Sequence, residues 1–124
     1  MRSLKITLGG VEITAELFNT ATADAIYEAA PFSSTAQTWG EEIYFSTVVR
    51  AEREADARDV VEAGELAFWI EGGSIAIGFG RTPISRGDEI RLAAPVNIWG
   101  RAVEDVRTLS GIAAGASIHV EVLD

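Results

Sequence analysis

Apolar residues recur at every second position in one short stretch after another. Leu4, Ile6 and Leu8 alternate with Lys5 and Thr7, and Val11, Ile13, Ala15 and Leu17 alternate with Glu12, Thr14 and Glu16. Ile43 and Phe45, then Ile75, Ile77 and Phe79, then Ile118, Val120 and Val122 repeat the pattern, while Leu66 to Ile70 and Val96 to Val103 read as further strands. Successive side chains of an extended backbone point to opposite faces, so a period of two means a strand with one buried side. Gly9-Gly10 supplies the positive φ values of a tight hairpin between the first two strands. Only two segments switch to helical spacing. Ala23, Ile26, Tyr27 and Ala30 follow the capping residues Asn19, Thr20 and Thr22 and stop at Pro31. Glu104 to Ser110 turns Val106 and Leu109 inward, with Gly111 just beyond. A mainly β chain of about seven or eight short strands has edges to hide, and a closed or nearly closed barrel hides them, with the two helices plugging its ends.

Between these segments the pattern breaks. Residues 32–40 are polar and predict irregular structure. Residues 50–65 carry Arg50, Glu52, Arg53, Glu54, Asp56, Arg58, Asp59, Glu62 and Glu65, which predicts a solvated loop or excursion. Ala76, Gly78 and Gly80 leave one strand face almost bare, a sign of a bulge, a barrel corner or a close approach by another segment. Residues 81–95, with Pro83, Gly87 and Pro95, predict a long connection of the kind that often carries function.

The chain has 124 residues, the size of one domain over 1–124. Its 19 acidic residues outweigh 10 basic ones, a net charge of −9 that would repel nucleic-acid phosphates. The absence of cysteine excludes disulfides and thiolate chemistry. The opening Met1-Arg2-Ser3-Leu4-Lys5-Ile6 has no apolar core of a secretion signal, and no apolar run approaches the ~18 residues of a membrane span. The expectation is a cytoplasmic protein with no membrane partner.

Three blocks carry a resemblance. Thr38-Trp39-Gly40-Glu41-Glu42-Ile43-Tyr44-Phe45-Ser46-Thr47 is the first. Gly64-Glu65-Leu66-Ala67-Phe68-Trp69, followed by Phe79-Gly80-Arg81-Thr82-Pro83, is the second. Pro95-Val96-Asn97-Ile98-Trp99-Gly100-Arg101-Ala102-Val103-Glu104 is the third. Together they span nearly the whole chain, which resembles a small prokaryotic cyclophilin-like family of mostly uncharacterised proteins. The resemblance implies a closed eight-stranded cyclophilin-like β-barrel with two short helices capping the ends. True cyclophilins carry a Phe-His-Arg run whose arginine stabilises the twisted amide. The matching place here reads Phe45-Ser46-Thr47, and a hydroxyl cannot supply a fixed cation. The resemblance therefore carries the fold without the isomerase's central electrostatic group. Arg50 or Arg81 substituting from another position is the alternative, which would leave a peptidyl-prolyl isomerase with a displaced arginine.

Among the large aromatics, Trp39, Tyr44, Trp69, Phe79 and Trp99 either pack a core or line an apolar pocket. Tyr44 and Trp69 lie opposite the inward phase of their strands. Glu42 shares a face with Tyr44 and Ser46, where the three could hydrogen-bond a ligand or form a solvated surface. Arg81-Thr82 beside the bare Gly78 and Gly80 suits recognition of a carboxylate or carbonyl, or else a surface ion pair with Asp88 or Glu89. His119 is the single histidine, too few for a histidine-rich metal centre. Glu54, Asp56 and Asp59 lack the loop pattern of a calcium site. The expected ligand-binding set is Glu42, Tyr44, Trp69, Phe79, Arg81 and Thr82, serving a noncatalytic module for a peptide or small molecule, with no catalytic residue, metal or cofactor.

Overall fold

The computed structural model describes residues 2–123. The alternating segments form strands in the expected phase: β1 (Ser3–Leu8), β2 (Val11–Leu17), β5 (Glu42–Ser46), β7 (Glu65–Trp69), β8 (Ser74–Gly78) and β10 (Ser117–Val122). Around them lie β3 (Phe32–Thr35), β4 (Gln37–Thr38), β6 (Arg58–Val61) and β9 (Ile90–Ala102). Helix α1 (Ala21–Ala29) starts where Thr20 accepts the Ala23 amide, and a 3-10 helix covers Val106–Gly111.

Every strand pairing is antiparallel, in the order β3-β10-β1-β2-β9-β7-β8-β5-β4, with β6 added to β9. The two ends of that order, β3 and β4, are consecutive in the chain. The segment 32–38 lies along β10 with its first half and along β5 with its second, so the sheet curls into a nearly closed barrel. The interior holds Leu4, Ile6, Ile13, Phe45, Phe68 and Trp99, together with Ile26 from α1 and Val106 and Leu109 from the 3-10 helix. The Trp99 indole is fully buried and donates to the Ala67 carbonyl at 3.1 Å.

Three expectations are corrected. Residues 32–40 are not irregular: most of the segment is the seam that brings the sheet's ends together, and its pairing is by backbone groups that its polar side chains do not advertise. Residues 50–65 are a solvated loop only in part: 50–57 carry no strand or helix and leave Glu52, Arg53 and Asp56 exposed, but even there the backbone is anchored. Asn97, fully buried on β9, accepts from the Glu54 amide at 2.9 Å and donates to the Glu52 carbonyl at 2.8 Å and the Thr22 hydroxyl at 2.9 Å. The Glu54 carboxylate in turn accepts the Thr22 amide and hydroxyl at the start of α1. The rest of the segment supplies β6, clamped by Arg58 on Glu65 and by Arg91 on Asp59. The Arg58 guanidinium holds the Glu65 carboxyl below its ordinary range.

The third correction concerns residues 81–95. Strand β9 begins at Ile90, not Val96. Its pairing with β6 slips between Val60↔Arg91 and Arg58↔Val96, and Pro95 falls within the slip, the position in a strand that tolerates a missing donor. The first half of β9 folds over the outer face of β7 and β8, where Ile90, Leu92 and Val96 form a second apolar cluster with Ala67 and Ala76. This explains the bare face of β8. A Cβ on Gly78 would sit 2.5 Å from the Ile90 side chain, so the close approach is by β9 itself.

Candidate functional site

Glu42, Tyr44 and Trp69 share that outer face. Glu42 pairs with Gly78, Tyr44 with Ala76, and Ala76 in turn with Ala67 of β7. Trp69 follows Ala67 on the same face of β7. The small side chains of this row leave room above β8 for the rings of Tyr44 and Trp69 to meet edge to face, with centroids 6.0 Å apart and planes at 89°.

Trp39 completes the wall. Its amide donates to the Glu42 carbonyl at 3.0 Å, which makes Gly40-Glu41 a two-residue turn between β4 and β5. Gly40 has φ +60, and a Cβ there would come within 2.9 Å of the Arg81 carbonyl and the Thr82 backbone. We expect Gly40→Val to strain this turn and to displace Trp39 and Glu42. Its cost should be about 1–3 kcal/mol in urea denaturation, with amide shifts concentrated at 38–43. A loss below about 0.5 kcal/mol would refute the role given to the turn.

The four residues face Leu92, Ala93, Ala94 and Val96 of β9 across a cavity of about 260 Å³. Ala93 and Ala94 belong to the slipped part of β9, so the bulge forms the opposite wall. The walls are mostly apolar, and Glu42 is the one charged residue among them. This residue is only 6% exposed; among the described residues its carboxyl takes part in no hydrogen bond or ion pair, and its oxygens keep contact with solvent only through the cavity. Burial pushes its pKa up from 4.5 to about 7, because a charged carboxylate loses hydration that no partner replaces. Chemically, the arrangement is an aromatic box with one proton-exchanging group at its edge.

Phe79, Arg81 and Thr82 stand outside the cavity lining. Phe79 packs against the interior core, and the Arg81 guanidinium reaches the Ser85 carbonyl at 3.4 Å rather than Asp88 or Glu89. The Thr82 hydroxyl donates to the Arg91 carbonyl, and the Thr82 amide donates to Ser85 Oγ at 2.9 Å. Their connection to the cavity runs through the backbone. The Phe79 amide donates to the Glu41 carbonyl and the Glu41 amide to the Arg81 carbonyl, both at 2.8 Å, which clamps the turn that carries Trp39 and Glu42.

The place matching the cyclophilin arginine lies elsewhere, at the barrel seam. A groove there is lined by Phe32, Ser34, Gln37, Ser46, Thr47 and neighbours, with no arginine among the described lining. The Thr47 hydroxyl donates to the Gly73 carbonyl at 3.0 Å. Arg50 instead lies with its guanidinium at the Val49 carbonyl, 3.4 Å away. His119 is exposed, with Nδ1 3.0 Å from the Ser33 hydroxyl. Among the described residues no group of three or more His, Asp or Glu could hold a metal ion, and no helix is long and apolar enough to cross a membrane.

Reasoning from the sequence missed the β9 wall. Ala93 and Ala94 carry no chemical signal, and in the sequence only Pro95, which cannot donate to a ladder, hints at a bulge there. Trp39 was visible as an aromatic beside Glu42, but not as a member of the binding set.

A sequence profile described as cyclophilin-like matches residues 2–121. The solution structure of a hypothetical protein from Archaeoglobus fulgidus superposes with a TM-score of 0.85 at 43% identity, covering 98% of this chain and 95% of that one. The structure of McbB in complex with tryptophan has the same fold, with a TM-score of 0.65 at 15% identity. That match covers 95% of this chain but 44% of McbB, so this chain spans less than half of McbB's length. No curated protein matches the chain.

Proposed function

The chain belongs to the cyclophilin-like family, and from that premise we propose that it is a noncatalytic binding module for a small molecule held between the outer sheet face and β9. The observation that carries this reading is the unpartnered Glu42 carboxyl set among Trp39, Tyr44 and Trp69 in an otherwise apolar cavity. Binding sites combine apolar walls with few polar groups in this way, the walls supplying affinity and the polar group orientation. McbB, a longer protein that shares this fold over less than half its length, is known in complex with tryptophan, which is in keeping with a small-molecule role. In this reading residues 1–124 are one domain, and segment 32–38 counts as a single stave, which makes the barrel eight-stranded and closed.

Titration with a panel of small aromatic and aliphatic molecules, tryptophan included, tests the proposal by NMR. Shifts should concentrate on the indole N–H signals of Trp39 and Trp69 and the amides of 42–44. Trp69→Ala should weaken binding about tenfold or more while keeping a folded amide spectrum. A panel that moves none of these signals would remove the cavity as a site. A proline-peptide isomerisation assay separates the second reading. We expect the rate of the buffer blank, unchanged in Arg50→Ala and Arg81→Ala.

A further inference from the structure

The ligand class follows from the chemistry of the cavity, on the footing of the binding role proposed above. We infer that the cavity takes a small organic cation, an alkyl- or arylammonium group that sits beside the Glu42 carboxylate and against the rings of Tyr44 and Trp69.

Three observations lead there. First, Glu42 is the single charged residue in the lining, and no lysine or arginine of the described chain reaches its carboxyl. A buried carboxylate without a counter-ion is costly, and a cationic ligand is the partner that relieves it. Second, Tyr44 and Trp69 stand at 89° with centroids 6.0 Å apart, and Trp39 adds a third aromatic side chain. Aromatic rings grouped along an apolar cavity attract an ammonium group through their negative faces, most strongly where water is excluded. Third, the alternatives fit poorly. An anion would meet Glu42 at close range in a protein of net charge −9. A neutral apolar molecule would complete the desolvation of the carboxyl and give it nothing in return. The raised affinity of Glu42 for its proton agrees with a site that lacks its counter-charge when empty. The cavity volume of about 260 Å³ suits a single small amine, below the size of a typical drug-like ligand.

Matched pairs of probes test the charge requirement on the full-length chain at about pH 8.5, where Glu42 is ionised. The pairs are benzylammonium against benzyl alcohol, and tetramethylammonium against tert-butanol. Affinities are read from the indole signals of Trp39 and Trp69. In at least one pair the cation should bind about tenfold or more tighter than its neutral counterpart. Glu42→Gln should reduce that preference to about threefold or less, chiefly by weakening the binding of the cation. Alcohols that bind as tightly as the cations in both pairs, or a cation preference that survives Glu42→Gln, would overturn the ligand class and leave the cavity standing as a binding site. Indole signals that respond to neither member of either pair would also overturn it. In that event the wider panel above decides separately whether the cavity binds anything.

Discussion

Glu42→Gln will stabilise the protein by roughly 3 kcal/mol at about pH 9 and leave its stability almost unchanged near pH 4. The carboxyl has a pKa raised from 4.5 to about 7 in the folded state. The folded protein therefore holds this proton more tightly than the unfolded chain does. Between those two values the unfolded state binds fewer protons, so stability falls as pH rises, and above about 7 the loss is complete. Glutamine has no proton to lose and keeps the shape of the protonated acid. Glu65 contributes with the opposite sign. Its pKa is lowered by the Arg58 hydrogen bond, so its stabilisation is present above the ordinary carboxylate range and disappears in acid. The wild-type curve should thus rise out of acid, pass a maximum and decline toward neutrality, and only the decline should vanish in the variant. Urea denaturation across a pH series measures both. Parallel curves for the two proteins above pH 5 would mean that Glu42 is hydrated and not buried among its neighbours.

Asn97→Ala should cost about 2 kcal/mol, because it leaves partly buried backbone groups without protein partners and empties a buried position. The side chain is 0% exposed and makes three hydrogen bonds, to the Glu54 amide, the Glu52 carbonyl and the Thr22 hydroxyl. Thr22 keeps its bond to the Glu54 carboxylate, but Glu52 and Glu54 lose the group that ties their backbone to β9. The expected local signature is faster hydrogen exchange at the Glu54 amide together with a weakened start of α1. A loss under about 1 kcal/mol with an undisturbed Glu54 amide would show that water replaces the side chain, and that the segment is held by β6 alone.

These two side chains also mark the boundary of what one-dimensional reasoning could reach. The phase of β5 and β7 places Glu42, Tyr44 and Trp69 on outward faces, and the period of two is enough to say so. That they share one cavity is a matter of register: Tyr44 and Ala67 meet across Ala76, a pairing that alternation leaves open. Asn97 sits in a strand of mostly apolar residues, and nothing in its neighbours marks it as the anchor of a segment 43 residues away in sequence. The charges of 50–65 read as solvated because ion pairs between distant residues, such as Arg91 with Asp59, have no sequence signature. Phe79, Arg81 and Thr82 were legible as a distinctive cluster, yet they act on the cavity turn through amides and carbonyls common to all residues.

From the sequence alone came the strand phases, the two short helices, a barrel as the way to shelter so many edges, and the polar-aromatic face of β5. These depend on local periodicity and on glycine and proline geometry, which each segment carries within itself. Only the tertiary structure decided that segment 32–38 joins the two ends of the sheet, that β9 bulges at Pro95 to roof the outer face, and that Glu42 is thereby buried without a partner. Backbone hydrogen bonding is nearly blind to side-chain identity, and desolvation depends on what folds over a group, so neither is written in the residues on either side of it.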